Sequence, residues 1–419
     1  MDNFLYPVQY FFCNTWGMSQ ADMFGFVIAS NSVKVAVGPI MGETGIAGLK
    51  IDFNYGLRLQ IPSGNWHVII SDYDSGTVFF DQDISEATLI SAEKYYIHWQ
   101  IEIFLDGEPV FGHLFDPVGQ KIRIICLSEQ IGDTISFLPY IPMVRDWYQA
   151  DVYYYILDRR MKDIGRRLFP DIRMKEEMEE GTYATFYLTP ALGGRWGWSP
   201  MDGRVIPMTQ TGQMILGFPC PAPKISWGQG VRQIKEPYVC IGVQGSSVSK
   251  GWLFPGGWDE VTAYLKDMGY RVICIDRDKI FRDGHYVLEM PAGAEDFTGN
   301  RSILERADML HYADFFIGLA SGLSWLADIV GCPVVMIGGF SLFWCEFFTP
   351  YRVYNRLACN GCYNDLRVDW KANKCVRQSK DSDGYLQCTK KISPRMVIQA
   401  IDRLIADKRS GRLKQYLPR

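Results

Sequence analysis

The chain has 419 residues, 47% of them hydrophobic and 21% charged, with a formal net charge of −4. That length predicts two or three domains of roughly 100–200 residues each, with ample apolar mass for a core. The negative balance argues against a general polyanion binder. No run of about 18 apolar residues is present to span a bilayer, and the opening MDNFLYPVQYFF lacks the basic start and cleavage site of a secretory signal.

Residues 1–117 alternate apolar and polar positions in VKVAVGPIMG, IDFNYGLRLQIP, WHVIISDYDSGTVFFDQDI and KYYIHWQIEIFLDGEPVFGHLFD, punctuated by DSG and DGEP turns. A period of two with such turns predicts an all-β domain, a small barrel or sandwich. Its aromatics at alternate positions suit either a core or a self-association surface. At Lys121 the pattern changes. KIRIICL reads as a short buried strand, TISFLPYIPMVRDWYQ as a helix, DVYYYIL as a strand, DRRMKDIGRRLFP as a helix and TYATFYLTP as a strand. Strands alternating with helices predict a parallel α/β sheet, here a Rossmann-like domain over 118–225. The proline-rich stretch FPCPAPKISWGQ (218–229) reads as a linker. A second unit of the same plan, 226–345, contains the strands YVCIGVQGS, RVICIDRD, DFFIGLASG and PVVMIGG, and the helices WDEVTAYLKDMG, SILERADMLHYA and LSWLADIVG. A cysteine-bearing segment (346–392) follows, and PRMVIQAIDRLIADKR (394–409) forms an amphipathic helix within 393–419.

The cysteine segment carries Cys359, Cys362, Cys375 and Cys388 in the pattern C-x2-C-x12-C-x12-C. Asn-Gly between the first two allows a tight turn with both sulfurs facing one point. Four thiolates complete a tetrahedral metal site, for which zinc and iron both fit. Two disulfides are the alternative, disfavoured in a reducing cytoplasm. Cys126, Cys240 and Cys274 sit in apolar strands, where a thiol is a small buried hydrophobe. The cluster of Lys371, Lys374, Arg377, Lys380, Lys390 and Lys391 around the quartet keeps open a non-enzymatic metal-finger protein that binds nucleic acid or a partner.

In open α/β sheets ligands bind beyond the carboxyl ends of the strands. The loops to inspect are therefore 128–134, 244–250, 276–278 and 318–324. In the first, Gly132 permits a turn into the helix, and Asp133 is expected at its start as an N-cap, serving as a cap alone or as a general base. Glu129 is a second, weaker carboxylate. In the second, Ser246, Ser247 and Lys250 offer hydroxyls, amides and an ammonium suited to a diphosphate. In the last, the amides of Gly322, Leu323 and Ser324 open a helix whose dipole favours an anion. Neither Walker-type spacing nor G-x-G-x-x-G is present.

Together these blocks carry a resemblance. IRIICLSEQIGDTISFLPYI looks like the opening strand–loop–helix of the ADP-heptose glycosyltransferases. DFTGNRSILERADMLHYADFFIGLASGLSWLADIVGCPVVMIGG resembles their C-terminal half. The cysteine quartet and the β domain resemble the bacterial autotransporter heptosyltransferases, related to the lipopolysaccharide enzymes but acting on adhesin passenger domains. The resemblance implies a GT-B fold of two Rossmann-like domains, preceded by the β domain and followed by a four-cysteine metal finger. It implies an inverting O-glycosyltransferase that moves heptose from ADP-heptose to serine hydroxyls of an autotransporter passenger. By position, Asp133 matches the catalytic aspartate, and Thr134 follows it at the donor site. Lys250, with Ser246 and Ser247, matches the diphosphate contact. Gly322, Leu323 and Ser324 match the phosphate turn, and Asp276 the place where the ribose is held. The cysteines match a structural iron (Fe3+) site, with zinc as the alternative, and no catalytic divalent metal is expected. A cytoplasmic homo-oligomer, up to a dodecameric ring, is implied as well, with no nucleic-acid partner. Ser321 and Trp325 depart from the family's aspartate and histidine. An enzyme using UDP- or GDP-linked hexose is the nearest alternative.

Overall fold

The computed structural model describes residues 12–14, 39–54, 56–190, 192, 196–228, 230, 232–283, 286–368, 375, 378 and 382–415. Much of the predicted β domain before residue 39, and Lys371, Lys374, Arg377 and Lys380 of the basic cluster, lie outside them.

The alternating segments after residue 49 form antiparallel strands, but they join two different sheets. Trp66–Asp72, Val78–Ile84, Trp99–Leu105 and Glu108–Leu114 make a four-stranded sheet. Its inward row of Trp66, Val68, Ile70, Trp99, Ile101 and Ile103 is buried, as a period of two requires. Lys50–Asn54, Arg58–Ile61 and Ala87–Ser91 instead extend the first α/β sheet, through a parallel pairing of Phe53 with Ala184. One eight-stranded sheet thus crosses the boundary expected at residue 117. The β segment is half a separate sheet and half an extension of its neighbour, and the described strands do not close into a barrel. The extension follows from burial: Ile51, Phe53, Leu57, Leu59 and Ile61 share one apolar cluster with Ile122, Ile124, Ala184 and Phe186.

In the first α/β half, Lys121–Cys126 lies between Ala184–Leu188 and Asp151–Ile156, all parallel. The helix expected after residue 133 is two helices, Ile131–Phe137 and Tyr140–Tyr148. Pro139 lacks the N–H that a continuing helix needs, so it becomes the N-cap of the second. The second half is a six-stranded parallel sheet with Tyr238–Ile241 and Phe316–Leu319 at its centre, flanked by Arg271–Cys274 and Val334–Ile337. Ile280–Asp283 and Tyr286–Glu289 add an unforeseen antiparallel hairpin. Helix Pro394–Arg409 takes the bounds expected for it and buries Val397, Ala400, Ile401, Leu404 and Ile405 against this sheet.

The halves meet at the carboxyl ends of their strands. Helices Ile131–Phe137 and Gly322–Ile329 pack against each other there. Polar ties reinforce the junction: Arg167 to Asp308 at 2.9 Å, Lys224 to Asp328 at 3.2 Å, and the Met208 amide to the Cys345 carbonyl at 2.8 Å.

Candidate active site

The loop after Lys121–Cys126 is organised by Ser128. Its hydroxyl donates to Asp133 Oδ2 at 3.0 Å and accepts from the Gln130 amide at 3.1 Å. Gln130, not Asp133, is the helix N-cap; Asp133 is the third helical residue. The difference matters chemically, because a cap carboxylate is occupied by amides, whereas Asp133 keeps an oxygen beyond the Ser128 bond. Asp133 is half-buried. Burial lifts its carboxyl above the ordinary range, while the Ser128 bond and the charge of Lys250 pull it back down. Lys250 comes from the other half, so its charge acts on Asp133 across the junction. Glu129 is exposed, its carbonyl held by Arg160 at 2.7 Å.

The neighbouring surface is built from close approaches. A Cβ at Gly132 would lie 2.8 Å from Trp325 Cδ1, and one at Gly322 would lie 2.9 Å from Ile131 Cβ. Each glycine lets the opposing helix come close. Trp325 is buried and sits edge-on to Phe347 at 5.2 Å. The indole in the departing position thus fills the junction beside Asp133.

The other predicted contacts divide. Lys250 is half-buried, its ammonium 5.8 Å from the Phe340 ring centroid, and Ser246 is exposed in the same loop. Ser247 is buried and bonds Ser249 at 2.7 Å, which shapes the turn. Thr134 is fully buried on the Ser128 carbonyl at 3.3 Å. Ser324 donates its hydroxyl to the Leu319 carbonyl at 2.5 Å and its amide to the Ser321 carbonyl at 3.1 Å, so both groups are taken up within the turn. Asp276 is buried and accepts from the amides of Val243 and Gln244 at 2.7 and 3.4 Å. Burial pushes its carboxyl up to about 7 against those bonds. These bonds tie Asp276 to the backbone that follows Tyr238–Ile241.

Three contributors escaped the sequence reading. Ser128 stands five residues before Asp133, a spacing that a search for polar partners in the loop would have caught. Asp283, on the unforeseen hairpin, accepts from the Val248 amide at 3.1 Å. Tyr363, directly after Cys362, tilts against Phe340 with ring centroids 5.7 Å apart. Burial pushes its phenol upward, reinforced by the charges of Cys345, Asp133, Glu346 and Asp202. No local signal in the sequence ties it to Asp133.

Of the four cysteines, Cys359, Cys362 and Cys375 are half-buried and Cys388 is buried. None of the four is joined in a disulfide. Gly361 takes φ of +78°, the left-handed turn expected between the first pair. Burial, and then the other three thiols, push Cys388 up to about 12. By their chemistry, four sulfurs form a donor set suited to zinc or iron. Among the described residues, no three Cys, His, Asp or Glu side chains are drawn together closely enough to hold an ion as they stand. No described helix is long and apolar enough to cross a membrane.

Two α/β halves that meet at the carboxyl ends of their strands, with a carboxylate on a loop of one and an ammonium on a loop of the other, suit a two-domain glycosyltransferase. Comparison with known proteins gives the same class. Residues 45–107 match the family model described as the N-terminal domain of glycosyltransferase TibC. The autotransporter heptosyltransferase BAHTCr of Citrobacter rodentium is 37% identical over 85% of this chain and 88% of its own length. TibC of Escherichia coli O78:H11 is 34% identical over 86% of this chain and 91% of its own. Its crystal structure, described as an iron-containing dodecameric glycosyltransferase, covers 89% of this chain and all of that one, with a TM-score of 0.83. A second TibC structure, in complex with ADP-D-beta-D-heptose, has a TM-score of 0.82. BimC of Burkholderia thailandensis, 30% identical over 85% of this chain and 86% of its own, is named an inactive member. The chain belongs to the autotransporter heptosyltransferase family and is a glycosyltransferase.

Proposed function

We propose that the chain is an inverting O-glycosyltransferase that moves heptose from ADP-heptose to serine hydroxyls of an autotransporter passenger. The observation that carries this is the packing of helix Ile131–Phe137, which holds Asp133, on helix Gly322–Ile329 of the other half, where the charge of Lys250 acts on the Asp133 carboxyl. The complex of the relative TibC with ADP-D-beta-D-heptose supports the choice of donor.

Asp133 takes the proton of the serine hydroxyl, whose oxygen attacks the anomeric carbon as the bond to ADP breaks. The electron pair of that bond leaves on the diphosphate. Lys250 and the amides of Gly322 and Leu323 stabilise the charge gathered there, with Ser246 beside them. Ser247, Thr134, Ser324 and Asp276 act one step back, by holding the loops that present these groups. The working boundaries are a donor half over 226–345 and a catalytic half over 118–225. Cys359, Cys362, Cys375 and Cys388 hold one structural iron, in keeping with the iron-containing TibC; zinc fits the same thiolates. Such a metal contributes folding energy directly. The chain works in the bacterial cytoplasm as a homo-oligomer, with the exposed strands of the 66–114 sheet as its contact surface.

Coexpression with an autotransporter passenger, followed by intact-mass measurement, tests the reading. The passenger should gain whole heptose units. Hexose increments would redirect the donor to a UDP- or GDP-linked sugar, and an unmodified passenger would overturn the assignment.

A further inference from the structure

We propose that the cysteine segment braces the donor loop, holding Lys250 in place from two sides. On one side Tyr363 backs Phe340, and Phe340 presents its ring to the Lys250 ammonium. The Tyr363 amide also donates to the Phe340 carbonyl at 3.1 Å, and Gly361 to Gly339 at 2.9 Å, so the two backbones are laced together. On the other side Val248, two residues before Lys250, is buried in a small cluster with Tyr385 and Leu386, against which Cys375 packs. Tyr385 stacks on Tyr286 of the hairpin at 5.9 Å, and that hairpin's Asp283 accepts the Val248 amide.

The spacing ties the brace to the thiols. Tyr363 follows Cys362 directly, and Tyr385 and Leu386 come just before Cys388. A metal held by the four cysteines pins the chain beside both points of support. The segment reaches the other half as well: Asn364 donates to the Arg204 carbonyl at 2.7 Å, and Arg204 donates to the Val368 carbonyl at 3.2 Å. Tyr363 and Leu386 are therefore positioning residues for donor binding. This rests on the reading of Lys250 as the diphosphate contact.

Titration of the purified full chain with ADP by calorimetry tests the brace without any turnover. Lys250→Ala should weaken ADP binding about tenfold or more. Tyr363→Ala and Leu386→Ala should each weaken it to a similar extent while keeping a cooperative thermal transition. Tyr363→Phe, which keeps the ring against Phe340, should retain the affinity of the parent. The pair Tyr363→Ala with Lys250→Ala should bind no worse than Lys250→Ala alone. Cys375→Ser should lose metal and ADP affinity together; where it fails to fold, Phe340→Ala replaces it and should match Tyr363→Ala. Parent-like affinity in Tyr363→Ala or Leu386→Ala, with affinity lost in Lys250→Ala, overturns the brace and leaves the donor reading standing. Parent-like affinity in Lys250→Ala overturns the donor reading and the brace with it.

Discussion

The two loops that meet at the junction are supported in opposite ways. Asp133 is held from within its own segment: Ser128, Gln130 and Thr134 share a short hydrogen-bonded loop around it. Lys250 is held from outside, by a hairpin 30 residues further on and by aromatic and aliphatic side chains that flank the cysteines. The base is thus a local construction and the cation a distant one. Substitutions beside Asp133 should act on proton transfer, whereas those that disturb Lys250 can lie more than a hundred residues away.

The sharpest break in this comparison comes from the base itself. Asp133→Asn should lower the transfer rate by about 10²–10⁴-fold, measured as heptose incorporated into a passenger, while the thermal transition stays in place. Next is the contact between helices Ile131–Phe137 and Gly322–Ile329. Gly132→Ala places a methyl 2.8 Å from the buried Trp325 ring, which has Phe347 behind it. Overpacking of this kind should cost about 1–3 kcal/mol in denaturant unfolding. Ser128→Ala removes the bond that lowers the Asp133 carboxyl, so the acid limb of the rate profile should move to higher pH. The loss at neutral pH should stay within about tenfold. The effect expected at Asp276 is on stability alone, leaving the chemistry of transfer aside. Its folded carboxyl is raised by burial from 3.8 to about 7. The stability it contributes is complete below the lower value and is lost as pH rises through the upper one. Asp276→Asn should flatten that part of the stability profile, as followed by melting temperature against pH.

The same contrast explains what the sequence disclosed. The parallel strands of both halves were legible because each is a short apolar run bounded by a turn, as in KIRIICL and PVVMIGG. Asp133, Lys250 and the cysteine quartet were legible because their chemistry sits in one loop or one spacing. The split helix at Leu138–Pro139 was legible in principle, since proline forbids a continuous helix. The hairpin at 280–289 carried an Asp-Gly turn signal inside RDGHYVL, which went unread among the surrounding charges. What could not be read locally was pairing. No pattern within IDFNYGLRLQIP says that Phe53 will pair with Ala184. Likewise nothing around Cys362 says that the next residue will back Phe340. Both depend on chain brought together from more than twenty residues away, and burial decides them.

The proposed chemistry needs the Lys250 charge to act on Asp133 across the junction. The pH dependence of kcat for the parent and for Lys250→Met tests it. The base must be ionised to accept a proton, so activity falls as pH drops through its pKa, which burial sets above the ordinary carboxylate range. The Lys250 charge lowers that pKa, and the Asp133 charge in turn raises the Tyr363 phenol. Removing the ammonium should therefore move the acid limb to higher pH, on top of a lower plateau. An acid limb that keeps its midpoint, or moves to lower pH, would contradict that action of Lys250 on Asp133.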